Sequence, residues 1–320
     1  MKRILTSTGP VVARLLAAVA AVAGMLALMS LPNALHPALD SLSHFRMHLA
    51  ALSVLCALPM LFSKRRRQFA VLATAAAALV TAATFGPLWP KDWVGVTAAD
   101  GRSHRLLQSN MRFDNQEPDR LFDLIAQTRP DILTFQEVST VWIERLSQLR
   151  AQFPYGIICE RESRLGGVAI LSRYPVAPGS AECVDDGLMA FATLEIEGRQ
   201  VDVVALHLHW PWPFDQHTQA QWNARDLARL GETALMAGDF NAAPWSNTTR
   251  IVAAGGGLTA AGFVGPTWLR AWMPNLLRRI AGLPLDQVLV KGAIVPTHLE
   301  RGPPVGSDHL PVIMEFALLP

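Results

Sequence analysis

Three long apolar runs in the first 92 residues constrain this chain more than any other feature, because about 20 uncharged residues suffice to cross a bilayer core. Leu15 to Leu31 is 17 residues without a charge, preceded by Lys2, Arg3 and Arg14. Alone it also fits a signal peptide, which shares the basic start and the apolar core. Met47 to Phe62 is shorter and extends back to Leu42 if His44 and Arg46 snorkel outward; Phe69 to Trp89 is 21 residues without a charge. These runs predict three transmembrane helices, at about 15–31, 42–62 and 69–89. A buried hydrophobic hairpin of a soluble protein is the alternative. Lys64, Arg65, Arg66 and Arg67 between two such runs argue against it. Three spans place both basic clusters on one side, and the positive-inside rule makes that side the cytoplasm. The chain after Trp89 is then expected outside the cytoplasmic membrane, on a multi-pass anchor.

The composition changes near Pro90, so residues 1–92 are expected to form the membrane region and 93–320 a separate domain. The charge divides unevenly between them. Lys2 through Lys91 include 9 of the 28 basic residues, and Asp40 and Asp92 are two of the 26 acidic ones, which leaves 19 against 24 from Trp93 onward, a balance of −5. A protein that grips long nucleic acid by its backbone carries a basic face, and this balance disfavours one. Cys159 and Cys183 either pair, if the domain faces an oxidising compartment, or lie buried as free thiols. No cysteines have zinc spacing.

From Arg105 strand-like and helix-like pieces alternate, the pattern of an α/β domain. Strands are expected at Leu106 to Phe113, Ile132 to Phe135, Gly167 to Ser172, Met189 to Ile196, Val201 to Leu208, Ala234 to Ala237, Leu285 to Val290 and Leu310 to Phe316. Helices are expected at Glu117 to Thr128, Gln216 to Leu230 and Pro244 to Val252.

Polar residues recur where these strands end: Asn110 in LLQSNMRF, Glu137 in ILTFQEV, His207 and His209 in VVALHLHWPWP, Asp239 and Asn241 in LMAGDFNAAPW, Asp286 in PLDQVLV, and Asp308 with His309 in GSDHLPV. Each alone fits a turn or a satisfied core histidine. Together they supply oxygen ligands for a hard cation, carboxylates to orient imidazoles, and imidazoles that move protons near neutral pH. That combination suits metal-assisted hydrolysis of a phosphoester.

QE after a strand, GDFN after a strand and SDHLPV near the C-terminus, in that order, resemble the endonuclease/exonuclease/phosphatase superfamily. The resemblance runs from about Arg105 to Phe316, and the spans before it look like the family's membrane-anchored bacterial branch. It implies a four-layer α/β sandwich, two packed mixed β-sheets flanked by helices, here preceded by three transmembrane helices. It further implies a Mg²⁺ or Mn²⁺ held by Asn110 and Glu137 with Asp308 close by. Asp239 and Asn241 would orient the attacking water and a phosphate oxygen. Asp286 would orient His309, and His207 would stabilise the transition state or protonate the leaving group. Three positions depart from the family pattern: Leu206 stands where Thr is common, Gln287 where His or Tyr is common, and Arg112 where Asn or Asp is common.

The expected activity is divalent-metal-dependent hydrolysis of a phosphoester or pyrophosphate, lipid-linked in the version that best uses the anchor. A membrane-anchored nuclease acting on DNA or RNA has the same site residues and is the alternative. A non-catalytic binding module is disfavoured, because binding alone does not require two imidazoles beside the acids. His209 has no assigned role. HWPWPF (His209 to Phe214) and TWLRAWMPNLLRRI (Thr267 to Ile280) read either as interfacial segments that meet lipid headgroups or as Trp-lined walls.

Overall fold

The computed structural model describes residues 2–86 and 102–319, which belong to two compact units. A helical unit lies within residues 1–89 and takes in Trp245–Asn247; an α/β unit lies within residues 90–244 and 248–320. The expected boundary near Pro90 and the end of the third span, 87–89, fall outside the described residues.

The helical unit contains α1 (Lys2–Met29), α2 (Pro37–Ser43), α3 (Arg46–Ala57), a 3₁₀ turn at Leu58–Phe62, and α4 (Arg67–Phe85). Val11–Met29 and Arg67–Phe85, 19 residues each, are long and apolar enough to cross a membrane. The expected second span is not one continuous helix, since the chain bends by 59° between Pro37–Ser43 and Arg46–Phe62. Polar residues cluster on the N-terminal side of the bend. Asn33 Nδ2 donates to Asp40 Oδ1 at 3.1 Å, and Ser43 Oγ donates to the Asp40 carbonyl at 2.6 Å. These groups satisfy one another, as buried polar groups must. Arg46 and His44, expected to snorkel outward, are buried instead, and Arg46 Nε donates to Ser30 Oγ at 3.0 Å. Elsewhere small residues face inward, with Ala20, Ala27, Ala50, Ala57 and Ala70 buried, while Leu15, Val22, Met25, Leu55, Leu72 and Leu79 are exposed. That is the reverse of a water-soluble bundle.

The α/β unit contains two six-stranded sheets. The first runs β11 (Ile294–Arg301), β12 (Val312–Leu318), β1 (His104–Asn110), β2 (Ile132–Val138), β4 (Gly167–Ser172), β3 (Tyr155–Ile158). The second runs β5 (Glu182–Val184), β6 (Met189–Ile196), β7 (Arg199–His207), β8 (Ala234–Asp239), β10 (Asp286–Lys291), β9 (Thr259–Ala260). Both are mixed, because β1 and β2 pair in parallel, as do β7 and β8, while the other pairs are antiparallel.

Alternation along each strand builds the layers. Leu106, Ile132, Ile170, Val203, Leu235 and Val288 fill the space between the sheets. Their neighbours Leu107 and Leu133 turn the other way, onto Leu121 and Leu124 of α5 (Asp119–Thr128) and Trp142 of α6 (Thr140–Leu146). On the far side Val204, Met236 and Leu289 pack on Leu227 of α7 (Gln216–Leu227) and Val252 of α8 (Asn247–Gly256). The result is two packed sheets flanked by helices. Cys159 and Cys183 are disulfide-bonded with Cα atoms 5.6 Å apart, so the free-thiol alternative falls, and the bond ties the end of β3 in one sheet to β5 in the other. Beyond the expected strands lies β11, whose Pro296 reads as a strand breaker. It is tolerated at a sheet edge, where the pairing with β12 shifts register between Pro296 and His298.

Candidate active site

Strand register assembles the site before any side chain is considered. In the second sheet His207 pairs with Asp239 across the parallel β7–β8 ladder, and Asp239 with Asp286 across the antiparallel β8–β10 ladder. Three chemically active residues therefore stand in one row, at the ends of three adjacent strands. Gly238 is obligatory beside that row, because a Cβ there would lie 1.9 Å from the Leu206 carbonyl oxygen. In the first sheet Asn110 ends β1, opposite Gln136 of β2. Glu137 follows at a β-bulge between Gln136 and Val138, with φ of 58°, a left-handed conformation that re-aims its side chain.

The loop before β12 brings the last two groups. His309 Nδ1 lies 2.8 Å from Asp286 Oδ2, and its Nε2 lies 3.4 Å from Asp239 Oδ2. His207 Nε2 approaches the same Asp239 oxygen at 3.7 Å. Asn110 Nδ2 donates at 3.0 Å to both Asp239 Oδ2 and Glu137 Oε1, while its Oδ1 accepts from Arg112 N. Glu137 Oε2 accepts from Phe113 N at 2.9 Å. Asn241 N donates to Asp239 Oδ1 at 2.8 Å, and Asn241 Nδ2 to the Leu208 carbonyl. Asp308 Oδ2 accepts from Trp268 Nε1 at 3.2 Å. Glu137, His207, Asp239, Asn241, Asp308 and His309 line one cavity of about 450 Å³, with Asn110 and Asp286 behind them. His209 is on the wall, held by Asp215 Oδ1 at 2.8 Å.

Burial sets the protonation states. It pushes the Asp239 carboxyl up to about 7 and raises that of Glu137, and it drives His207 down to about 3. Burial also opposes a charge on His309, but Asp286 and Asp239 outweigh it and raise the imidazole to about 10. His207 is thus a neutral imidazole and His309 a charged one. Among the described residues, no Lys or Arg ion-pairs with Glu137, Asp239 or Asp308. A divalent cation fits a set of carboxylates that lack a Lys or Arg partner. Asp239, Asp286 and His309 also offer ligand atoms within 4.8 Å of one another. Both oxygens of Asp286 are already engaged, by Gln108 Nε2 at 2.8 Å and by His309, which favours a hydrogen-bonded relay there.

The family model described as Endonuclease/Exonuclease/phosphatase family matches residues 107–309, which spans every one of these residues. The chain belongs to that family. Its members are metal-dependent phosphoester hydrolases, and the chain is an enzyme of this class. No curated protein sequence matches the chain. Among solved structures, TDP2 of D. rerio complexed with single-strand DNA product is 14% identical, with TM-score 0.55, covering 67% of this chain and 98% of its own. Beta toxin of Staphylococcus aureus with bound magnesium ions is 15% identical, with TM-score 0.51, covering 67% and 99%. Sphingomyelinase C of Streptomyces griseocarneus is 16% identical, with TM-score 0.50, covering 68% and 99%. At these identities the likeness is one of fold.

The three departures from the family pattern have structural places. Leu206 packs among Val204, Leu208 and Met236 on the helix side of the sheet, away from the row that holds His207. Gln287 Nε2 donates to the carbonyls of Ala242 and Pro284, bracing the chain after β8. Arg112 lines the cavity, with Nε donating to Asp114 at 2.7 Å. Sequence reasoning missed Gln108 and Gln136, whose side chains meet at 2.8 Å beneath Asp286. Their signal was there: two residues before Asn110, on a face otherwise occupied by Leu106, a glutamine is out of place. It also missed Ser307, whose Oγ donates to the Asn110 carbonyl at 2.8 Å and accepts from His309 N, fixing the loop that carries the histidine.

Proposed function

We propose that the enzyme hydrolyses a lipid-linked phosphoester or pyrophosphate at the outer face of the cytoplasmic membrane. The observation that carries the reading is the buried Asp286–His309–Asp239 relay at the floor of a cavity that also receives Glu137 and Asp308. Asp286 holds His309 at Nδ1, so Nε2 is aimed at the reacting groups. Asp239, raised into the neutral range, and Asn241 orient the attacking water, and the Asp239 carboxylate takes its proton. His207, kept neutral, donates a hydrogen bond to the oxygen that gains charge. A bound Mg²⁺ or Mn²⁺, held by Glu137 with Asn110 and Asp308, would neutralise the phosphate oxygens and the leaving group. Asn110 turns its NH₂ toward Glu137 in this arrangement, so ligation requires its amide to turn over.

Location rests on separate support. Two helices are long and apolar enough to cross a membrane, and the bent pair supplies a third if it counts as one span. Three spans put Lys2, Arg3, Arg14 and Lys64 to Arg67 in the cytoplasm and the catalytic unit outside. The Cys159–Cys183 bond fits an oxidising compartment. The cavity wall combines Arg112 and Arg161 with Phe113, Leu165, Trp210, Phe214 and Trp268, a mixture suited to a phosphate joined to an apolar chain.

The likeness to TDP2 with its DNA product favours a second reading, a membrane-anchored nuclease. The deciding experiment measures phosphate release from a polyprenyl pyrophosphate and nicking of plasmid DNA by detergent-purified full-length protein with Mg²⁺ or Mn²⁺. His309→Ala and Glu137→Ala serve as controls. Lipid turnover that both substitutions abolish supports the proposal. Nicking without lipid turnover replaces it with the nuclease.

A further inference from the structure

The helix α9 (Asn275–Ala281) is built the wrong way round for water. Its Arg278 is buried, with NH1 donating to the Ser307 carbonyl at 2.9 Å, while Leu276 and Ile280 are 68% and 69% exposed. A helix lying on a soluble domain does the opposite, turning its apolar stripe inward and its charges out. The preceding turn adds Trp272, 77% exposed.

A second segment supplies the same kind of surface. Between β7 and α7, Trp210, Trp212 and Phe214 are all exposed in a stretch whose one carboxylate, Asp215, is engaged by His209. The two segments meet: Trp210 and Trp268 contact edge to face with ring centroids 5.8 Å apart. Trp210, Phe214 and Trp268 line the catalytic cavity, and Trp268 also donates to Asp308. Trp210, Phe214 and Trp268 therefore stand at the cavity, and Trp212, Trp272, Leu276 and Ile280 extend the apolar surface along the same two segments. Scattered exposed apolar residues are ordinary, but a set concentrated in two touching segments beside a cavity marks an interaction surface.

Charge distinguishes the partner. Residues 261–285 contain no Asp or Glu, and of their three arginines Arg270 is exposed and Arg279 half-buried while Arg278 is turned inward, although the region from Trp93 onward is acidic overall. Exposed Trp, Leu and Ile interleaved with Arg is the composition that seats in the interface of an anionic bilayer. We infer that the rim formed by Trp210, Trp212, Phe214, Trp272, Leu276 and Ile280 docks on the bilayer surface and presents the cavity mouth to headgroups. The inference rests on the membrane reading above and is independent of the catalytic one.

The test uses the full chain in nanodiscs containing phosphatidylglycerol. Nitroxide labels are placed singly at Trp272→Cys, Leu276→Cys and Ile280→Cys in a Cys56→Ser background, with Gln200→Cys, at the exposed start of β7, as a control. Power saturation compares collisions with oxygen, which partitions into lipid, and with a water-soluble nickel chelate. The three rim labels are expected to favour oxygen by at least threefold over the control, and to lose that preference in discs of neutral lipid at high salt. Rim labels that match the control in anionic discs overturn the inference while leaving the anchor intact. Labels shielded from both reagents, in detergent as well as in discs, also overturn it, since protein then covers the rim. A chain that fails to enter discs at all overturns the anchor together with the docking.

Discussion

Asp286→Asn isolates the relay, because the substitution keeps the shape and removes the charge. In the native site one oxygen of Asp286 accepts from Gln108 Nε2 and the other faces His309 Nδ1, each at 2.8 Å, and both Asp286 and His309 are buried. An asparagine has only one carbonyl oxygen to serve these two donors. Whichever it serves, its NH₂ meets the other. Losing a hydrogen bond to a charged group costs about 1.5–3 kcal/mol, and a buried donor left without a partner roughly 1–3 kcal/mol more. The two together amount to about 2.5–6 kcal/mol of transition-state stabilisation, or roughly 10² to 10⁴ in kcat/KM. The assay is phosphate release at saturating Mg²⁺, with thermal melting to show that the variant folds. Gln108→Leu combined with Asp286→Asn removes the competing donor and frees the asparagine oxygen for His309. The double variant is therefore expected to regain at least tenfold over Asp286→Asn alone. A single variant that loses less than fivefold, or a double variant no better than the single, refutes the relay.

Three other outcomes follow from the same geometry. Burial holds His207 at about 3 against an ordinary 6.5, so between those values the unfolded chain binds a proton that the folded one does not, and stability falls as pH drops through that window. His207→Gln should gain on wild type in melting temperature from pH 7 to pH 4 and stay parallel above pH 7. Glu137→Gln removes a buried carboxylate whose burial disfavours its charge, so the variant should melt higher than wild type in chelator. Wild type should then gain about 2.7 kcal/mol at a Mg²⁺ concentration 100 times its dissociation constant, and the variant should show little of that gain by calorimetry. Replacing Cys159 and Cys183 by serine opens a loop with sequence separation 24 and should cost about 3 kcal/mol in denaturant unfolding.

Much of this architecture was legible because strand alternation and strand-end chemistry are local. In LLQSN and LMAGD the polar group closes an apolar run and in PLDQV it opens one, and that is how Asn110 and Asp239 end their strands while Asp286 begins its own. The strand feeding Asp239 runs to the aspartate itself instead of stopping at Ala237, because pairing with both β7 and β10 continues to that residue. Long-range satisfaction was not legible. The polar residues from Asn33 to Arg46 read as a loop and a snorkelling helix start, but their partners lie in other turns and helices, out of reach of a local pattern. Gln108 and Gln136 likewise gain meaning only when β1 and β2 face Asp286 across the sheets. The disulfide was undecidable from two cysteines, since pairing depends on β3 and β5 ending side by side in different sheets.

The inter-sheet space is divided along its length, and the division explains how a stable domain carries so costly a site. Away from the site it is filled by Leu194, Ile196, Val201 and Phe316, all buried and apolar. Toward the site Thr134, Gln136 and Gln108 replace the apolar residues, and Thr134 Oγ1, Gln136 Nε2 and Gln108 Oε1 are buried without a hydrogen-bond partner among the described residues. Unpaired polar atoms and carboxylates raised by burial weaken the fold at that end. The same features hold Asp286 against His309 and leave Glu137 without an ion-pair partner among the described residues, which suits a phosphate-activating cation. Filling this end with leucine would stabilise the sandwich and abolish its chemistry. The apolar end supplies the stability that lets the polar end remain under-satisfied until metal and substrate arrive.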